Sequence, residues 1–187
     1  MTSEILAFVS TMIATLIGVF LAVTLSKRET QRKERSDTIK LLKSAKSILD
    51  LTFDYVLGLE IYLTEIEKKP IETHPSLSEV KEKNPIPFPD LMETIITSEI
   101  VSKNLTAFSH SEIYNGLINL RKVSNYNSIN TYKRVLSELG LLLDLEIAFQ
   151  KREINFEGIE NRLEEGRIEL KKQFPDDEDI KTLNKDS

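Results

Sequence analysis

The sequence predicts an all-α protein: one N-terminal transmembrane helix continuing into a cytoplasmic helical bundle of three to four long helices. A charge-free apolar run opens the chain, a seven-residue apolar repeat follows it, and no strand-like alternation bounded by hairpin turns occurs anywhere. Charged residues make up 29% of the 187 residues yet are scarce before Lys27, so a mean hydropathy of −0.23 averages a lipid-like segment and a polar one. The expected division is a short outer N-terminus (1–4), a span (5–26), a bundle (27–174) with a proline-rich arm (70–89), and an acidic, disordered tail (175–187).

From Ile5 to Ser26 no residue is charged, and at about 1.5 Å per residue the run reaches roughly 30 Å, the hydrocarbon thickness. Its Ile, Leu, Val and Phe residues each favour insertion by roughly 0.3–0.6 kcal/mol, which outweighs the small cost of Ser10, Thr11, Thr15 and Thr24. The leading flank is acidic at Glu4 and no Ala-x-Ala-like exit follows, so the segment reads as a retained anchor rather than a cleaved signal. Lys27, Arg28, Arg32, Lys33 and Arg35 follow it closely; such basic flanks stay cytoplasmic, which puts the N-terminus outside and the protein in the inner membrane. The same cluster suits anionic headgroups. Within the span Ala7, Thr11, Ala14, Gly18 and Ala22 recur every three or four residues, a small-residue stripe that lets two helices approach in lipid, so a homo-oligomer is expected.

Lys27 to Arg35 holds no Gly or Pro, so the membrane helix should run into the domain without a hinge. Leu42, Ala45, Leu49, Thr52, Val56, Leu59, Leu63 and Ile66 then keep a heptad register, widened by Leu41, Ile48, Tyr55 and Tyr62 into a bundle-type face. Lys68, Lys69 and Pro70 end it. In the arm, Ser76 to Lys83 suits a short helix, and Pro85-Ile86-Pro87-Phe88-Pro89 should lie extended over the bundle, docked by Ile86 and Phe88. Pro89 or Asp90 starts a helix running to about Lys103, and Ser109 with Glu112 has the capping-box spacing to open another, carrying Ile113, Leu117, Leu120 and Val123. Asn125, Asn127, Ser128 and Asn130 interrupt the apolar rhythm, as a break or as a polar seam. The pattern allows a turn near Gly140, after which Leu145, Phe149, Phe156, Ile159, Leu163 and Leu170 continue a last helix that stops before Pro175.

Chemistry is sparse. A net charge of −5 gives no basis for nucleic-acid binding, and the absence of cysteine removes disulfides, thiolate metal sites and thiol nucleophiles. His74 and His110 have no second histidine at ligand spacing, Ser109-His110-Ser111 lacks a nucleophile elbow and reads as a helix cap, and the dispersed glycines form no phosphate loop. No catalytic residue, cofactor or metal is therefore expected.

The order of parts, a single charge-free span, a basic flank and a helical domain, resembles small single-pass membrane effectors found beside bacterial anti-phage systems, such as the helical accessory protein of type VI-B CRISPR loci. That resemblance implies assembly into a membrane pore. It carries no nuclease motif: Lys69 and Leu105 stand where the Arg-x4-His motif of helical HEPN domains would need arginine. The leading expectation is a non-enzymatic homo-oligomer that uses the lipid bilayer, itself and a cytoplasmic protein as partners. A pore-forming effector and a membrane-tethered enzyme such as a nuclease are its rivals.

Overall fold

The computed structural model describes residues 2–68 and 77–175, with side chains over 15–68 and 78–175. The described chain is all-helical: α1 (Thr2–Glu67), α2 (Leu77–Lys83), α3 (Asp90–Ile96), α4 (Glu99–Asn104), α5 (Ala107–Lys122), α6 (Ile129–Gln150) and α7 (Phe156–Gln173), with a 3₁₀ turn at Tyr126–Ser128. Lys69, Pro70, His74 and the tail from Asp176 lie outside the described residues.

α1 is a single helix of 66 residues, roughly 100 Å long, with neither Gly-Pro punctuation nor a kink-forming proline before Pro70. Its heptad face is buried as the register requires: Leu42, Ala45, Leu49, Val56, Leu59 and Leu63 are sealed, with Thr52 and Ile66 half-buried at the same phase. Of the residues expected to widen that face, Leu41 and Ile48 are half-buried but Tyr55 and Tyr62 stand in solvent. Beyond Ile48 the a/d line is joined by Phe53, edge-on to Phe174, and by Glu60, paired with Lys133, while Leu59 and Leu63 pack on Val80 of α2.

α6 is the central helix and packs against α1, α5 and α7. It runs antiparallel to all three: Lys46 meets Asp144 while Lys133 meets Glu60, Gly116 faces Leu139 while Thr106 reaches Glu146, and Gly166 faces Leu141 while Arg134 reaches the Phe174 carbonyl. α5 and α7 therefore start at the end of the bundle where α4 and α6 finish and where α1 enters it. α3 and α4 cover the remaining flank of α1.

The described part of the arm, 77–89, is laid over the bundle. Ile86 is buried, Phe88 is half-buried under the Arg121 guanidinium at 4.6 Å, and Tyr132 and Tyr126 donate hydroxyl hydrogen bonds to the Pro87 and Asn84 carbonyls. Such anchoring satisfies carbonyls that proline-rich backbone cannot pair within itself.

Local expectations needed correction at several points. The helix expected from Asp90 to Lys103 is broken at Thr97 and Ser98, whose hydroxyls bond back to the Glu93 and Ile95 carbonyls and compete with the helical ladder. Ser98 turns extended and starts α4. α5 begins three residues earlier than the Ser109–Glu112 spacing suggests: the Thr106 hydroxyl accepts the Ser109 backbone N–H at 3.1 Å, and Ser109 is buried inside the first turn. The Asn-rich patch is a break, closed by Asn125 Oδ1 accepting the Asn127 N–H. No turn occurs at Gly140. α6 passes straight through it, and the chain reverses instead at residues 151–155, where Asn155 caps α7 by accepting the Gly158 N–H at 2.9 Å. A lone glycine costs a helix about 1 kcal/mol, and α6 offsets that by burying side chains on three sides.

Among the described residues no helix is long and apolar enough to cross a membrane. The side chains of positions 5–14, nearly half of the expected span, lie outside those described.

Candidate functional site

The N-terminal part of α1 projects beyond every other element. Leu16, Ile17, Val19, Phe20, Leu21, Val23 and Leu25 are each between 54% and 71% exposed. At about 100° per residue these positions point in all directions around the helix, so the apolar surface is a full cylinder rather than a stripe. Exposed apolar surface on this scale is the kind that marks an interaction surface. Of the small-residue stripe, Ala7, Thr11 and Ala14 lie outside the described side chains, whereas Gly18 and Ala22 are exposed and a Cβ at Gly18 would meet nothing within 4 Å.

The basic cluster follows on the same uninterrupted helix. Lys27, Arg28, Arg32 and Lys33 are exposed and Arg35 is half-buried. Arg28, Arg32 and Arg35, spaced at helical intervals, share one face. That face looks onto the ends of α4 and α6, and between them lies a cleft of about 720 Å³ lined also by Lys103, Asn104, Phe149, Gln150 and Arg152. Its one carboxylate is Glu34, which pairs with Lys103 at 3.3 Å. Arg152 holds a left-handed backbone, φ 65°, the only non-glycine among the described residues to do so.

A second groove, also about 720 Å³, continues from the cleft toward the stem along Ala22, Val23, Ser26, Lys27 and Thr30. Gln31, Glu34 and Lys103 line both. The cleft is cationic, and the groove is apolar along Ala22 and Val23.

The wall behind the cleft is rigid for a local reason. Glu146 is completely buried, and its carboxylate accepts from Gln150 Nε2 at 2.9 Å and from the Thr106 hydroxyl at 3.2 Å. Gln150 Nε2 also donates to the Asn104 carbonyl at 2.7 Å. The network ties together the end of α4, the start of α5 and the end of α6, and no buried side-chain polar atom among the described residues lacks a partner. On α1, Thr38 is buried against α4, with its hydroxyl 3.4 Å from the Ile100 carbonyl.

The remaining concavities offer less. A groove of about 420 Å³ between α1 and α6 has an apolar floor of Leu49, Phe53, Leu136 and Leu141 and a rim of Asp50, Asp54 and Asp144, the last paired with Lys46. No group of three His, Asp or Glu residues among those described is placed to hold a metal. His110 lies exposed in the first turn of α5 and lines neither cleft.

Sequence reasoning found Arg28, Arg32 and Arg35 but missed Lys103, Gln150 and Arg152, which reach the same space through the packing of α4 and α6 against α1. A local signal existed: cations stand at the ends of both α4 and α6. No family model, no curated protein and no solved structure matches the chain.

Proposed function

We propose that the chain is a non-enzymatic, membrane-anchored helical protein. Residues 5–26 cross the inner membrane with the N-terminus outside, and the bundle is held at the cytoplasmic face to mediate assembly or partner binding. One observation carries this reading: the exposed apolar cylinder from Leu16 to Leu25 passes without a helix break into the basic residues Lys27 to Arg35. An apolar cylinder followed by cations is what insertion and the positive-inside bias together require. Gly18 and Ala22, open to approach, make the stem the contact through which copies associate in lipid.

The test has two parts. Membranes expressing the full chain are washed with alkaline carbonate, and reporters fused to either end are assayed for periplasmic and cytoplasmic activity. The chain should stay in the pellet, with its C-terminal reporter inside; release into the wash, or a C-terminal reporter outside, sinks the anchor. Cross-linking in the same membranes should give oligomers that Gly18→Leu reduces at unchanged expression, and a strictly monomeric chain would remove the assembly role.

A further inference from the structure

We infer that the joined clefts at the root of the stem hold an anionic phospholipid, with its phosphate among Arg28, Arg32, Arg35 and Arg152 and its acyl chains along Ala22 and Val23. The inference rests on the membrane reading above and adds a specific occupant to it. Charge comes first. None of those four guanidiniums forms an ion pair among the described residues, and the one carboxylate in the space, Glu34, is taken by Lys103. Arginine presents a planar fork of donors that matches phosphate oxygens bidentately, so clustered and unneutralised arginines constitute a phosphate site in a way that scattered lysines do not.

Shape comes second. The cationic cleft and the groove beside Ala22 and Val23 adjoin across Gln31 and the Glu34–Lys103 pair, so a molecule with a charged head and apolar tails spans both. Inorganic phosphate would leave the apolar half empty. A nucleic acid has no tail to place there, and the chain's net charge of −5 repels a polyanion. Position comes third: the cleft lies where α1 leaves the apolar stem, at headgroup depth. Finally, Arg152 is the left-handed residue of the turn that ends α6, where the Arg152 and Glu153 N–H groups donate to the Phe149 and Ala148 carbonyls, and that turn places Arg152 in the lining of the cleft.

The experiment uses the full chain in nanodiscs of mixed phosphatidylcholine and phosphatidylglycerol, with retained lipid read by native mass spectrometry. Wild type should retain phosphatidylglycerol in preference. Arg32→Gln with Arg35→Gln should cut the retained anionic-to-zwitterionic ratio by about tenfold or more, while Lys43→Gln with Lys122→Gln, an equal change in charge outside the clefts and the basic cluster, should leave it within about twofold. Arg152→Gly separates binding from folding: it should lower retention while raising the thermal midpoint by relieving φ 65°. Equal losses from the two paired variants would reduce the site to diffuse charge, and displacement of the lipid by inorganic phosphate or by RNA would assign the cleft to another ligand; either overturns the inference and leaves the anchor intact. A chain that does not enter nanodiscs at all overturns both.

Discussion

Tyr132 is the largest side chain sealed completely inside the bundle, and its hydroxyl donates to the Pro87 carbonyl. Burial pushes that hydroxyl's pKa far above its ordinary value, so it remains a neutral donor throughout the accessible pH range. Tyr132→Phe should therefore cost about 1–2 kcal/mol through an orphaned, half-buried carbonyl, lowering the thermal midpoint by roughly 2–6 °C in circular dichroism melts. Glu138 is a different case. Burial raises its pKa, with Arg167 and Arg134 opposing and Glu112 adding to the rise. A carboxylate raised in the folded state contributes stability that is complete below its unfolded pKa and lost as pH rises through the folded value. The stability difference between wild type and Glu138→Gln should thus move in favour of wild type as pH falls from about 7 toward 4; a difference flat across that range would contradict the assignment. Neither residue's partners were legible in sequence. Apolar periodicity identifies which face is buried, as Leu42 through Leu63 show, but Arg167 meets Glu112 and Glu138 only because α5, α6 and α7 pack together.

At the scale of the helix, two glycines in regular helix have opposite meanings. Gly116 lets α5 approach α6: a Cβ there would fall 2.6 Å from Leu139 Cδ2, inside the core. At Gly140 a Cβ would meet nothing within 4 Å, and the backbone is ordinary helix. Gly140→Ala should raise the thermal midpoint by about 2–4 °C, from roughly 0.5–1 kcal/mol of backbone entropy, whereas Gly116→Ala should lower it. If both substitutions stabilise, the close approach of α5 is wrong. The elements best read from sequence were those with long local periodicity, α1 above all. Those misread were decided by competition among neighbours: Thr106 and Ser109 are both competent caps, Thr97 and Ser98 interrupt a segment of good helical pattern, and burial around α6 overrides the breaker at Gly140.

For the molecule as a whole, topology makes the cleft. Because α6 is antiparallel to α1, α5 and α7, the collar of α1, the end of α4 and the end of α6 converge, although they are separated by about 70 and 120 positions in sequence. The cationic half on α1 could be read from charge spacing, while the half from Lys103 and Arg152 depended on long-range packing that no local pattern encodes. The continuity of α1 has a mechanical consequence. From Ser26 to Glu67 the helix extends roughly 60 Å without a joint, so a stem inclined by about 20° to accommodate a thinner bilayer would carry its far end sideways by roughly 20 Å. Under the proposed anchoring, bilayer thickness would set the reach of the bundle, with α1 as a lever and the lipid surface as its fulcrum.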